Sequence, residues 1–287
     1  MSEYEGRKFE RVVCWFSHGA ASAVATILAF REYGPGNCVA VCQDTGSEHH
    51  DNERFRADFT RATNIPVEVI RSGEYRDIWD VFDKTRWLVG PKGARCTGEL
   101  KRKVAERYLN FFSDLEVLGY TSEEQKRLQR WQANNEERFI DPILIRHGYS
   151  KQMCFDYLSR IGVDLPVMYQ MGYQNNNCIG CVKGQAGYWN KIRRDFPDVF
   201  ARMARVEREI GAAICKTEPI IDGKRQRIPV YLDELDPSAG RYKDEPPMSC
   251  GFLCEADVDQ NSTTNNQEGQ GDARKSSLPD QPRRDQP

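Results

Sequence analysis

The residues best suited to chemistry in this chain are five cysteines in loop-like sequence: Cys96, Cys178, Cys181, Cys250 and Cys254. Cys178 and Cys181 form a Cys-x-x-Cys within "NNNCIGCVKG". Thiolates at that spacing can share one metal centre or act as a redox pair. A thioredoxin-like pair would follow a βαβ start, which is missing here. A zinc site would take four ligands, commonly from two such pairs. Cys14, Cys38 and Cys42 lie in strand-like sequence and read as small buried hydrophobes.

Two further stretches carry the residue types of an anion site. In "RVVCWFSHGAASAVAT" an apolar run gives way to Ser17, His18, Gly19, Ala20, Ala21 and Ser22. Small side chains let backbone N–H groups face an anion, and a helix starting near Ser22 adds its positive end. Ser17 and Ser22 can donate hydroxyl bonds. His18 can donate to a phosphate or serve as a turn histidine satisfied by a neighbour. The spacing is neither that of the common phosphate-binding loop nor that of dinucleotide folds. In "CQDTGSEHHDNERF", Asp44, Thr45 and Gly46 follow a second apolar run.

The elements that must position these residues alternate along the chain. Val12–Phe16, Cys38–Cys42, Val67–Ile70 and Leu115–Gly119 read as strands. Ala23–Tyr33, Asp51–Thr63, Thr97–Phe111 and Ser122–Asn134 read as helices. Strands separated by helices of this length predict an α/β fold, a parallel sheet flanked by helices on both faces. Ligands in such sheets bind beyond the carboxyl ends of the strands. After residue 140 the pattern turns helical, with a helix capped by Ser150 and others over Tyr188–Asp195 and Asp198–Gly211. Short extended pieces follow near Ile220 and over Ile228–Leu232. The expected organisation is an α/β domain over 8–140, a helical Cys-x-x-Cys-bearing portion over 141–254 and a disordered tail over 255–287. The tail is too polar to bury enough surface to order itself.

"SHGAAS" and "QDTGSEHHDNERF" together resemble the phosphoadenosine phosphosulfate (PAPS) reductase family, within the adenine-nucleotide α-hydrolase-like, or PP-loop, superfamily. "RCTGELK" is similar to that family's Cys-Thr-x-x-Leu-Lys segment, giving Cys96, Thr97, Leu100 and Lys101. "VLGYTSEEQKR" is similar to its Gly-x-(Arg)-x-x-Glu-x-x-Arg segment, giving Gly119, Glu124 and Arg127. The motifs run in the family's order over residues 11 to about 210. The resemblance implies an adenine nucleotide, ATP or PAPS-like, held by Ser17–Ser22, Asp44–Gly46 and Lys101, with Glu124 and Arg127 on the far rim.

The resemblance also links the cysteines. Iron–sulfur members join thiols from separate segments onto a [4Fe–4S] cluster, which implies Cys96, Cys178 and Cys181 as ligands. The fourth ligand would be Cys250 or Cys254, or none. Sulfonucleotide reductases carry a nucleophilic cysteine in a C-terminal Glu-Cys-Gly-x-His segment. Cys250–Gly251 matches its core, with Ser249 and Leu253 at the flanking positions. The usual loop Ser-Gly-Gly-x-Asp-Ser has His18 for its first glycine and Ala21 for its aspartate, and the arginine common early in the fourth motif is Thr121 here. Asp44 remains a candidate to hold Mg²⁺ or ribose. Sulfur transfer or sulfonucleotide reduction is the expected activity. The alternatives are ATP-dependent thiolation of a nucleic acid and nucleotide binding without turnover. The partners implied are a nucleotide substrate and a nucleic-acid acceptor or thioredoxin-like donor, and phages or mobile elements encode many compact relatives of this type.

Composition bounds the rest. The net charge of −2 predicts no general attraction to nucleic acid or acidic membranes. Lys183, Lys191, Arg193, Arg194, Arg202, Arg205 and Arg208 do cluster, with Tyr188, Trp189, Phe196 and Phe200 interleaved. Such a pattern makes either a nucleic-acid surface or, more commonly, an amphipathic helix with a solvated face. No run is long enough to span a membrane, and the polar start is unlike a signal peptide, so a cytoplasmic protein is expected.

Overall fold

Residues 11–16 alternate between two apolar faces. Val12, Cys14 and Phe16 join one cluster, while Val13 and Trp15 join another. A strand with both faces buried belongs in the middle of a covered parallel sheet. The computed structural model, which describes residues 1–90, 93–221 and 223–248, has that architecture. Five strands are hydrogen-bonded in one all-parallel sheet: β1 (Arg11–Trp15), β2 (Cys38–Asp44), β3 (Val67–Arg71), β4 (Asp114–Val117) and β5 (Ile140–Asp141). Their order is β3-β2-β1-β4-β5. The protein is an α/β fold with a parallel sheet flanked by helices, as the alternation predicts.

Helices α1 (Ala20–Tyr33), α2 (Asp51–Thr63) and α6 (Lys151–Arg160) pack with Val12, Cys14 and Phe16. On the other face lies α4, which runs from Arg95 to Tyr108 and is π-helical over Gly98–Arg102. Helix α5 (Gln125–Ala133) follows a 3-10 turn at Ser122–Glu124. Ser150 caps α6 by accepting the Met153 N–H, as expected. Helices α7 (Ala186–Asp195) and α8 (Pro197–Ile210) make the C-terminal portion helical. They share a second apolar cluster with α3 (Ile78–Thr85), Leu100 and the Cys-x-x-Cys loop.

Several elements go beyond the sequence expectations. Helix α3 is added, capped by the Asp77 side chain on the Asp80 N–H. So are β5 and the antiparallel pairings of 2–4 with 7–9 and of 89–90 with 93–94, while the extended pieces expected near Ile220 and over Ile228–Leu232 are present, paired with 224–225 and 215–217. Helix α1 begins three residues before the expected Ala23, because Gly19 is its N-cap and offers no side-chain signal. Ahead of α6, the stretch after residue 140 holds β5 and a short α-helical turn at Ile143–Arg146. Cys250, Cys254 and the expected tail over 255–287 lie outside the described residues.

No helix among the described residues is long and apolar enough to cross a membrane.

Candidate functional site

Strand β1 has β2 on one side and β4 on the other, so the chain reverses its direction of progress across the sheet there. The crevice beyond the carboxyl ends of such strands is where open α/β sheets bind ligands. A cavity of about 550 Å³ opens at that point, walled by the loops after β1 and β4. Ser17, Gly19, Ala21 and Ser22 line it from the first loop, and Gly119, Thr121, Glu124 and Arg127 from the second. Lys101 enters from the π-helical segment of α4.

The first turn of α1 is held open for close approach. Ser22 Oγ accepts from the Ser17 N–H at 3.1 Å and donates to the Gly19 carbonyl at 2.9 Å, which ties the loop to the helix start. Gly119 lies against this turn: a Cβ there would stand 2.6 Å from Ser22 N and 2.9 Å from the Ala21 carbonyl carbon. Only a glycine lets the β4 loop come so near. Tyr169 adds a hydroxyl that accepts from the Ala20 and Asn176 N–H groups, and burial pushes that phenol up to about 12.

The charge of the lining is positive. Lys101, Lys126, Arg127, Arg130 and Lys151 face two acids, Glu123 and Glu124. Both acids have local structural tasks. Glu124 Oε2 accepts from the Thr121 N–H in a capping box, and Glu124 Oε1 takes Arg127 at 2.6 Å. Glu123 accepts from the Lys151 N–H at 3.2 Å. Lys151 is itself half-buried, and burial lowers the affinity of its ammonium for its proton. Its ammonium donates to the Gln174 carbonyl and to Asn175 Oδ1 at 2.9 Å, which ties the wall to the loop before Cys178.

The remaining residues of the expected nucleotide site sit elsewhere. Ala20 and His18 are absent from the cavity wall. His18 takes a left-handed φ of 57° and turns its ring inward, 3.3 Å from Glu48 Oε2 and 3.5 Å from Cys42 Sγ. Asp44 closes its own turn: its carboxylate accepts from the Gly46 N–H at 2.8 Å and pairs with Arg71. Burial raises the Asp44 carboxyl, but those two donors outweigh it and the net shift is downward. Thr45 faces the cysteine loop, with Oγ1 3.1 Å from Cys178 Sγ. Gly46, at φ 64°, is held against the Arg76 carbonyl.

The Cys-x-x-Cys loop is thus seated on the turn after β2. The Ile179 N–H donates to the Ser47 carbonyl at 2.9 Å, and the Tyr188 hydroxyl accepts from the Gly180 and Cys181 N–H groups. Cys178 and Cys181 are buried, and the half-buried Cys96 packs against the same apolar cluster. Among the described residues, no three His, Cys, Asp or Glu groups stand together in a form able to hold a metal ion. The loop also reaches the cavity, because Asn175, Asn176 and Asn177 line it directly before Cys178. Glu48 bridges the two regions: its carboxylate lies 3.5 Å from Thr45 Oγ1 and 3.9 Å from Lys101 Nζ, and accepts from Asn52 at 3.1 Å.

No protein-family model matches the chain. The chain is similar to "Uncharacterized protein MJ0066" of Methanocaldococcus jannaschii, 25% identical over 208 aligned positions. The match covers 69% of this chain and 42% of the archaeal protein, so the chain spans less than half that relative's length.

Sequence reasoning left out Lys151, Tyr169, Asn175–Asn177 and Glu48. The Asn run was legible as a polar turn, but nothing local says that it meets the loop after β1. The basic run of α7 and α8 is largely engaged within the fold. Arg193 donates to the Leu232 and Leu235 carbonyls, Lys191 pairs with Asp195, and Arg208 pairs with Asp233 and Glu234. Arg202 stacks over Trp79.

Proposed function

We propose that the cavity binds an adenine nucleotide and that the chain is a PAPS reductase-like enzyme of sulfur transfer or sulfonucleotide reduction. One observation carries the reading: the start of α1, Lys101, Arg127 and Lys151 converge on one cavity at the reversal point of a parallel sheet. Backbone N–H groups at a helix start and side-chain cations together select a phosphorylated or sulfated ligand. Trp15, Val41, Leu118 and Tyr120 add apolar lining to the same cavity.

Between the reactions considered, the lining favours the sulfonucleotide. Ala21 stands in the wall where ATP-cleaving relatives keep an aspartate near Mg²⁺, and Glu123 and Glu124 are engaged in local structure. In sulfonucleotide reduction the bond between the sulfonate sulfur and the phosphate oxygen breaks. Sulfite and a nucleotide phosphate leave, and a dithiol donor supplies two electrons and becomes a disulfide. Cys96, Cys178 and Cys181 offer soft thiol donors on one apolar cluster, the donor type that iron–sulfur clusters take. We propose them as its ligands, with Cys250, Cys254 or no residue at the fourth position; the three thiols do not stand together as a metal-holding group among the described residues, so cluster binding would have to draw Cys96 and the 178/181 pair together. A bound cluster would supply electron transfer or hold sulfide.

Calorimetric titration of the full chain with ATP and with a sulfonucleotide tests the reading. Saturable binding that Lys101→Met weakens about tenfold is expected, since a charge-assisted contact is lost. Sulfite release with a thioredoxin-like donor marks the reductase, and pyrophosphate release from ATP marks the thiolation route. Absence of binding to either nucleotide refutes the proposal. Iron and sulfide in protein purified without air, lost in Cys178→Ala, test the cluster separately.

A further inference from the structure

Gln43 sits one residue before the end of β2 and lines the cavity at the sheet's reversal point. Side chains alternate along a strand, so Gln43 shares a face with Val41, and Val41 is paired across from Trp15 on β1. Val41, Trp15 and Leu118 belong to the apolar cluster on the α4 side of the sheet, and all three line the same cavity. Gln43 is the polar member of this company, and it is only 8% exposed.

Its amide is fixed at one end. Nε2 donates to the Lys101 carbonyl at 2.7 Å, and a carbonyl accepts only from the nitrogen, so this bond decides which end of the amide is oxygen. Oε1 has no hydrogen-bond partner among the described residues, yet it is not one of their fully enclosed, unsatisfied atoms. The surface that it keeps opens into the cavity that Gln43 lines. The Trp15 indole N–H is already given to Glu116 at 2.7 Å. This part of the wall therefore presents an anchored acceptor among apolar side chains. Its complement is a largely apolar group with an N–H donor on its edge.

We propose that Gln43 is a specificity-determining residue for the base, its Oε1 accepting from the exocyclic amino group of adenine. The assignment rests on the nucleotide reading of the cavity: the start of α1 and the cations suit the phosphates, which leaves the apolar side of the wall to the base. Hypoxanthine carries an oxygen where adenine carries that amine. It would set acceptor against acceptor, and a site built to bond an N–H rejects an analogue without one.

Calorimetric titration of the full chain with the 5′-triphosphates of adenosine, purine riboside and inosine tests the assignment without altering the protein. These bases carry an amine, a hydrogen and an oxygen, respectively, at the position in question. ATP should bind tightest, with the purine riboside nucleotide about fivefold weaker for one lost hydrogen bond and ITP weaker than ATP by about tenfold or more. Gln43→Met keeps the length of the side chain and removes the acceptor. It should bring the three nucleotides to a common affinity, whatever the lost Lys101 contact does to all of them together. Equal binding of the three by wild type, or an ATP preference that Q43M retains, overturns the assignment and leaves the nucleotide reading standing. Refusal of all three also overturns it, and the nucleotide reading falls as well if a sulfonucleotide is refused too.

Discussion

Gly119→Ala tests whether the close approach of the β4 loop to α1 shapes the nucleotide seat. The added methyl would stand 2.6 Å from Ser22 N, 2.8 Å from Ser22 Cα and 2.9 Å from the Ala21 carbonyl carbon. All three are backbone atoms at the first turn of α1, so no side-chain rotation relieves the overlap. Either the β4 loop or the helix start must move by most of an ångström. Overpacking of this kind costs about 1–3 kcal/mol. At about 2–4 °C per kcal/mol for a chain of this size, the melting temperature should fall by several degrees. Nucleotide affinity should fall further than stability suggests, because in the proposed reading that turn is part of the nucleotide seat. A helix start is worth up to about 2 kcal/mol to a partly buried charge, which corresponds to about thirtyfold in affinity. Gly73→Ala is the control, since a Cβ there has no neighbour within 4 Å. Thermal unfolding and calorimetric titration of both variants give the comparison. A G119A protein that melts and binds nucleotide like G73A would refute this account of the cavity.

Three other outcomes are expected. Burial raises the Glu207 carboxyl from 4.5 to about 7 despite the Ile214 and Leu232 N–H groups that it accepts at 2.6 Å each. The folded chain then holds a proton that the unfolded chain releases, so this contribution is full below about pH 4.5 and is lost as pH rises through 7. In urea unfolding from pH 5 to pH 8, wild type should lose up to about 2.5 kcal/mol relative to Glu207→Gln, and a constant difference would show that the two N–H groups win. Gly46→Ala should cost about 2 kcal/mol or more, because φ is 64° and the new Cβ would press on the Arg76 carbonyl; an unchanged urea midpoint would contradict this. Thr121→Ala removes one half of the capping box before α5 and should cost about 1 kcal/mol, measured in the same assay.

How much of the fold and the site was legible depended on whether the cue was local. Strands β1 to β4 announce themselves as short apolar runs between helical stretches, and each lies within about two residues of its expected place. Strand β5 has two residues, and Asp141 in it is fully buried by pairing with Tyr33 and Arg146. No periodicity reveals a strand of that length. In the site, Ser17, Gly19, Ala21, Ser22, Lys101, Glu124 and Arg127 were readable because they sit at strand and helix ends in motif order. Asp44 and Thr45 obey the same logic, yet they face Arg71 and Cys178, since the turn after β2 is covered by a loop more than 130 residues later in the chain. That contact is long-range, and so is the bond that the Asn176 amide donates to the His18 carbonyl. Local sequence carries neither.

The π-helical segment Gly98–Arg102 bears on how this chain can change length over time. A π turn holds one residue more than the α turn it replaces. Losing any one of those five residues would restore ordinary α winding with the flanking parts of α4 still in register, but the side chains inside the segment would turn to new directions. Lys101 could not then keep both its place in the cavity wall and the Gln43 contact on its carbonyl at 2.7 Å. The segment should accept changes of residue type on its exposed side far more readily than a deletion.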